Sequence, residues 1–162
     1  MRRKMWLAGA LGLIACSGVW NSASADEPQS AQEVVALARR MIAAFEANDM
    51  KVAASLVADV DLAIIDNFPP FVWRGKDAFA RWLEDMDRNA QALLITHTTS
   101  QLGAVKFVRM EGDRAYVAIV DDYRYERAGA AVREDLLWTF VAQKTGQDWK
   151  LVSWSFGGGA AR

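Results

Sequence analysis

The chain has 162 residues, of which 19 are basic and 20 are acidic, so its formal net charge is −1. Because no basic stripe runs along the chain, nucleic acid is not expected as a partner. This length suits a domain with one hydrophobic core rather than two.

The N-terminal segment has the pattern of a secretory signal peptide. Residues 1–4 carry three positive charges and no acid, and residues 5–15 contain no charge. Residues 23–25, Ala-Ser-Ala, place small side chains where a signal peptidase requires them, so we expect cleavage after Ala25. A retained membrane anchor is the weaker alternative, because a spanning helix needs about 20 apolar residues.

The single cysteine offers a second processing route. Cys16 follows Leu13-Ile14-Ala15, a short apolar run of the kind in which a cysteine is lipidated and becomes the new N-terminus. Both routes predict an exported protein, either periplasmic or secreted, or anchored by lipid at Cys16. Cleavage after Ala25 leaves a domain of residues 26–162 with 16 basic and 20 acidic residues and no cysteine for a disulfide.

Three helices are expected at the start of this domain. Residues 30–33, Ser-Ala-Gln-Glu, have the pattern of a capping box, and apolar residues then recur every three or four positions as far as Phe45. Asn48-Asp49 is predicted to cap a second, short helix, and Lys76 or Asp77 to open a third. The apolar side of the third helix is expected to carry Phe79, Trp82, Leu83 and Met86.

One short strand is predicted before the third helix and four longer strands after it. Val60, Leu62 and Ile64 alternate with their neighbours over residues 60–65, and Asp66 ends this strand. Turn signals at residues 111–113, 128–130 and 145–148 separate four consecutive and therefore antiparallel strands. These strands are expected near residues 98–110, 114–126, 131–144 and 149–156. The predicted fold class is α+β.

Together with Asp49, Asp66, Gly75 and a last strand that begins at Trp149, this order of elements resembles the nuclear transport factor 2-like superfamily, in its SnoaL-like branch. The resemblance implies a cone-shaped roll of three N-terminal helices packed on a strongly curved antiparallel sheet, with a mostly apolar cavity inside. It also implies a homodimer formed through the outer face of the sheet. It implies no single activity, because the superfamily includes isomerases, dehydratases, hydrolases, transport factors and domains without catalysis.

Residues 31–79 are also similar to ketosteroid isomerase, and Asp66 stands where that enzyme has its general-base aspartate. The same comparison places Met41 and Leu136 at the positions of its two oxyanion donors, a tyrosine and a protonated acid. Neither side chain can donate a hydrogen bond, so steroid isomerisation itself is not expected.

Asp66 is the first candidate for a chemical role, independently of any resemblance. By strand alternation it shares a face with Leu62 and Ile64, so its carboxyl is expected to point toward the core. Burial there raises the pKa of a carboxyl toward the range that suits a general base near neutrality. The alternative is that Asp66 caps the following loop near Phe68 through an Asx-turn.

Asp121 and His97 are the other candidates for catalysis. One of the adjacent acids Asp121 and Asp122 is expected to face the interior, with Asp121 the candidate, unless a β-bulge turns both to solvent. A contact between Asp121 and Asp66 would raise the pKa of one of them and create an acid and base pair. His97, the only histidine, is either a proton shuttle or a hydrogen-bonded residue at the rim.

Aromatic side chains are expected either to line an internal pocket or to fill it as a solid core. The residues predicted to contact a small apolar or aromatic ligand are Phe68, Trp73, Trp82, Tyr123, Leu136, Trp138 and Trp154. No metal site is predicted, because residues 26–162 contain one histidine and no cysteine, which leaves only carboxylates as other ligands.

No cofactor is predicted either, because residues 26–162 contain neither a glycine-rich phosphate loop nor a Gly-x-Ser-x-Gly motif. The sequence therefore predicts an exported domain that binds a small molecule. The alternative is a cofactor-free isomerase, dehydratase or hydrolase that uses Asp66 as its base, with Asp121, His97 or Tyr123 as the proton donor.

Overall fold

The computed structural model describes residues 29–59 and 61–158, so the predicted signal segment lies outside the described residues. The described helices are α1 (Gln29–Glu46), α2 (Met50–Ser55) and α3 (Ala78–Leu93). The strands are β1 (Ala63–Ile65), β2 (Val72–Arg74), β3 (Ile95–Glu111), β4 (Arg114–Arg127), β5 (Ala130–Thr145) and β6 (Asp148–Gly157). Within the described ranges, no helix has both the length and the apolar character needed to cross a bilayer.

Helix α1 turns one apolar stripe toward the sheet. Val34, Ala38 and Met41 recur at steps of four and three residues and are completely buried, which is the spacing of one helix face. The predicted capping box is wrong, because the helix already includes Gln29 and Ser30 is therefore a helical residue.

Helices α2 and α3 begin close to the predicted positions. The Asp49 carboxylate caps α2 by accepting a hydrogen bond from the Val52 backbone N–H at 3.0 Å. Trp82 is buried on α3, but Met86, predicted on the same side, is exposed. The buried face of α3 is confined to its first turns, where Ala78 and Trp82 lie.

The six strands form one sheet in the order β2-β1-β6-β5-β4-β3. The four strands β3 to β6 form the predicted antiparallel meander, while β1 pairs in parallel with β6. Strand β2 was not predicted; it is only three residues long and pairs antiparallel with β1. Strand β1 is shorter than predicted, since it begins at Ala63.

Register shifts curve this sheet around the helices. Three shifts lie between β3 and β4 and one lies between β5 and β6, and such bulges bend a strand and increase its twist. The inner face holds the core, in which Trp154 of β6 packs edge-on against Trp82 of α3 with ring centroids 5.6 Å apart. The structure thus confirms the α+β fold, with N-terminal helices packed on a curved and mostly antiparallel sheet.

Candidate functional site

The carboxyl of Asp66 lies directly after β1 and faces the interior, with 7% of the residue exposed. The Trp82 indole N–H donates a hydrogen bond to Asp66 Oδ2 at 2.9 Å, and the Asn67 backbone N–H donates to Oδ1 at 2.7 Å. Burial raises the pKa of Asp66 to about 6, although both hydrogen bonds oppose this increase. Oδ1 is therefore hydrogen-bonded to the loop that follows β1, and Oδ2 is hydrogen-bonded to Trp82 in the core.

Aromatic rings continue from Asp66 across the inner face of the sheet. Strand β1 ends one residue before Asp66, and its last residue, Ile65, pairs with Ser155 of β6. The Phe156 ring lies 4.4 Å from the Trp138 ring and 5.3 Å from the Tyr123 ring, measured between centroids. Phe156 and Tyr123 are only half-buried. We call Asp66, Tyr123, Trp138 and Phe156 the inner-face site.

Asp121 also faces the interior and is 2% exposed. The pairing of β4 with β5 is continuous through Asp121 and Asp122, so no bulge between these strands turns both acids outward. Asp122 instead lies on the outer face, where Arg124 and Arg133 donate hydrogen bonds to it. The expectation from strand alternation, that one of these adjacent acids faces the interior and that it is Asp121, is therefore correct.

The two oxygens of Asp121 have different surroundings. Oδ2 accepts hydrogen bonds from the Ser100 hydroxyl at 2.5 Å and from the Trp138 indole N–H at 2.9 Å. Oδ1 is buried without a hydrogen-bond partner in the part of the chain that the structure describes. Burial raises the pKa of Asp121, against the opposing effects of Ser100, Trp138 and the nearby Gln101 backbone N–H. Ser100 was not among the predicted site residues.

Asp66 and Asp121 are not paired with each other. Each pKa is raised by burial, and neither carboxyl is among the causes that shift the other. Tyr123 connects the two electrostatically. Burial raises the pKa of Tyr123 first, and the negative charges of Asp66 and Asp121 raise it further, so its hydroxyl lies within electrostatic reach of both.

His97 lies at the surface rather than in this site. Its side chain is 77% exposed, and Nδ1 is 3.3 Å from a carboxylate oxygen of Glu126. His97 has a φ of +54° at a register shift of β3. We therefore do not include His97 in the inner-face site.

Six of the seven residues predicted to contact a ligand are buried, and several of them pack against one another. Phe68 and Trp73 lie 5.1 Å apart, and the Trp73 indole N–H donates a hydrogen bond to Asp85 Oδ2 at 2.7 Å. The buried members of the predicted set are Phe68, Trp73, Trp82, Leu136, Trp138 and Trp154. Tyr123, the remaining member of that set, is half-buried.

A cavity of about 390 Å³, which we call the outer-face cavity, is lined by outer-face residues of β4 and β5 and also by Asp121 and Leu136. Val120 of β4 and Leu137 of β5 form its apolar floor, and Gly103 and Gly157 flank them. A Cβ atom at Gly103 would lie 2.9 Å from Val120 Cγ2, so glycine is needed there for the close packing of β3 on β4. Among the described residues, no group of three or more acidic, histidine or cysteine side chains is arranged to hold a metal ion.

Three solved structures show the same fold. A proposed dehydratase of the nuclear transport factor 2-like family from Streptomyces avermitilis is 21% identical, with a TM-score of 0.63 over 78% of this chain and 94% of that one. A ketosteroid isomerase-like protein from Erwinia carotovora atroseptica is 16% identical, with a TM-score of 0.62 over 80% and 96%. The CaMKII hub of S. rosetta is 17% identical, with a TM-score of 0.65 over 83% and 100%.

These identities establish the fold and no activity. A comparison with curated proteins finds no match. A family model described as the SnoaL-like domain matches residues 34–157, which is most of the chain. The chain therefore belongs to the SnoaL-like domain family.

Proposed function

We propose that this domain binds a small apolar or aromatic molecule at the inner-face site. The main support is a pair of half-buried rings on the inner face, Tyr123 and Phe156, whose centroids lie 5.3 Å apart, with the Tyr123 hydroxyl within electrostatic reach of the buried Asp66 carboxyl. Covering exposed ring surface with an apolar ligand is favourable, and aromatic faces contribute further through offset or edge contacts. The proposed dehydratase and the isomerase-like protein with this fold agree with a small-molecule site.

Titration with 2-ethylnaphthalene, followed by tryptophan fluorescence, tests this proposal. We expect saturable quenching, and we expect Phe156→Ala to weaken binding about tenfold, because most of one ring contact is lost. Leu137→Ala is the matched control, since Leu137 lines the outer-face cavity. The absence of binding would contradict the proposal, and so would weakening by Leu137→Ala alone.

A second candidate function is cofactor-free acid–base catalysis, as in an isomerase, dehydratase or hydrolase. It is favoured by the pKa of about 6 at Asp66, because a general base works best when its pKa lies near the operating pH. The Tyr123 hydroxyl is the candidate donor within electrostatic reach. An isomerase or dehydratase of this kind would begin by removing a proton from a carbon atom beside a carbonyl, whereas a hydrolase would remove one from water.

Exchange of the methyl protons of 2-acetylnaphthalene with D₂O, followed by NMR, measures that step without a known substrate. We expect the protein to accelerate the exchange, and we expect Asp66→Asn to abolish the acceleration while binding remains. Asp148→Asn, at an exposed position, is the control. An exchange rate unchanged by the wild-type protein would exclude this catalysis on an aromatic methyl ketone and leave the binding proposal standing.

We also propose that the chain is exported, with residues 1–25 as its signal peptide and a periplasmic or secreted product. Three features support this proposal: the positive charges of residues 1–4, the uncharged residues 5–15 and the small residue Ala25 at the expected cleavage site. Mass spectrometry of the mature protein tests it. An N-terminus at Asp26 is expected, a lipid-modified Cys16 would establish the alternative, and an unprocessed N-terminus would contradict both.

Finally, we propose a homodimer through the outer face of the sheet. Exposed apolar side chains on this face support it: Phe107, Tyr116 and Leu137 are 50%, 39% and 37% exposed. Phe107 and Tyr116 pack edge-on, with centroids 6.0 Å apart, and so form one continuous apolar surface. Sedimentation equilibrium measures the oligomeric state directly.

A further inference from the structure

Three half-buried aromatic rings lie side by side on the inner face of the sheet. Tyr123 and Tyr125 are two residues apart on β4, so their side chains project from the same face, and their ring centroids lie 5.4 Å apart. The Phe156 ring of β6 lies 5.3 Å from the Tyr123 ring, with the two ring planes at 84°. Two rings at nearly a right angle form the walls of a corner, so a group placed there can contact both aromatic faces.

A carboxylate lies at the edge of this corner. Glu134 of β5 pairs with Tyr123 in the sheet register, and the side chains of directly paired residues share a face. The Tyr125 hydroxyl donates a hydrogen bond to Glu134 Oε1 at 2.7 Å, which holds the carboxylate beside the rings. Within the part of the chain that the structure describes, no basic side chain forms an ion pair with Glu134. We call Tyr123, Tyr125, Phe156 and Glu134 the aromatic corner.

The charges around the aromatic corner are mainly negative. Burial raises the pKa of Tyr123, and the negative charges of Asp66 and Glu134 raise it further. Burial and then Glu134 also raise the pKa of Tyr125, and the opposing effect of Arg127, at the end of β4, is smaller. A positive group in the corner would be attracted by these carboxylates and also by the ring faces, which favour a cation within about 6 Å of the ring centroid.

We infer that the aromatic corner binds the positively charged group of an organic cation, a quaternary ammonium or an alkylated amine with an aromatic or apolar body. This inference rests on the proposed binding function and specifies its ligand class. The body of the ligand would cover the exposed ring surface of the inner-face site, and its cationic group would lie between the rings and the Glu134 carboxylate. Ring faces offer no lone pairs, so the corner is unsuited to a metal ion, which needs several oxygen, nitrogen or sulfur ligands.

Phenyltrimethylammonium and tert-butylbenzene test this inference, because the two molecules have nearly the same shape and differ by one positive charge. Tryptophan fluorescence follows both titrations, since the Trp138 ring lies 4.4 Å from the Phe156 ring. We expect the cation to bind about three- to thirtyfold more tightly than the hydrocarbon. We also expect added salt to weaken binding of the cation and to leave the affinity for the hydrocarbon nearly unchanged, because salt screens charges.

Two conservative variants separate the charge from the rings. Glu134→Gln keeps an oxygen that can accept from the Tyr125 hydroxyl but removes the charge. It is therefore expected to weaken binding of the cation about threefold, with no effect on the hydrocarbon. Phe156→Leu keeps an apolar side chain but removes one aromatic face, so the preference for the cation is expected to fall about threefold or more. Asp148→Asn is the control, because it removes an exposed charge about 25 Å from Phe156 along β6, at about 3.3 Å per residue.

Equal affinities for the two ligands, or tighter binding of tert-butylbenzene, would overturn the inference and leave the proposed binding function intact. A preference for the cation that neither Glu134→Gln nor Phe156→Leu reduces would place the cation elsewhere and would overturn the inference as well. Failure of both ligands to bind would overturn the inference and the proposed function together.

Discussion

Replacement of Asp66 by asparagine removes a buried carboxyl whose charged form the fold disfavours. The amide has nearly the same size, and its oxygen can still accept a hydrogen bond from Trp82 or Asn67. Asp66→Asn therefore removes the titration of this side chain with little change in packing.

The expected magnitude follows from the pKa of Asp66, about 6 in the folded protein against an ordinary value of 3.8. Between these pH values the folded protein holds the proton more tightly than the unfolded chain. The stability that Asp66 contributes is thus fully present below pH 3.8 and is lost as the pH rises through about 6. At about 1.4 kcal/mol per pKa unit, the loss is about 3 kcal/mol.

Urea unfolding at several pH values between 4 and 7, followed by tryptophan fluorescence, measures this effect. Asp121 and Asp122 also titrate with shifted pKa values, so the useful quantity is the difference between wild type and Asp66→Asn at each pH. This difference is expected to change by about 2 kcal/mol in favour of the variant from pH 4 to pH 7, because part of the total of about 3 kcal/mol is already lost at pH 4. Asp148→Asn serves as the exposed control. Parallel curves for wild type and Asp66→Asn would refute the reasoning.

Three further substitutions probe the packing and the outer face. Trp82→Ala is expected to lower the free energy of unfolding by about 3–5 kcal/mol, since the ring is 2% exposed, and an unchanged unfolding midpoint would contradict its buried position. Gly103→Ala is expected to lower the free energy of unfolding by about 1–3 kcal/mol, because its Cβ would lie 2.9 Å from Val120 Cγ2. Gly157→Ala is the control: its Cβ would meet no atom within 4 Å, so its effect in the same urea titration is expected to be much smaller. Equal costs for the two glycines would show that the close contact is unimportant. Leu137→Asp is expected to convert the proposed dimer to a monomer in sedimentation equilibrium, and a dimer that persists would place the interface elsewhere.

The strand meander could be predicted because its signals are local. Gly112 and Gly129 adopt positive φ values of 59° and 79° in the turns, and glycine accommodates this conformation without a steric penalty. As a result, the four long strands begin and end within three residues of the predicted positions. The inward direction of Asp66 and Asp121 follows from the same short-range alternation.

The partners of these carboxyls could not be predicted, because they depend on contacts between distant segments. Ser100 reaches Asp121 only after register shifts in β3 that interrupt simple alternation. Asp85 lies on the side of α3 that the periodicity assigns to solvent, yet it accepts the indole hydrogen of Trp73 across the fold. The contacts of Phe156 with Trp138 and Tyr123 depend on the pairing of β5 with β6 and of β4 with β5.

The sequence also could not predict how closely the aromatic rings of the inner face pack against one another. Trp82 and Trp154 fill the deep core by packing edge-on, and this mutual orientation is not encoded in a hydrophobic pattern. Only the rim of the inner face, near Tyr123 and Phe156, keeps exposed ring surface among the residues proposed for binding.

A crystal structure of the protein soaked with 2-acetylnaphthalene tests the binding proposal most directly. We expect electron density for the naphthalene rings against Tyr123 and Phe156, near the Asp66 carboxyl. Density confined to the outer-face cavity beside Val120 and Leu137 would contradict the proposed site.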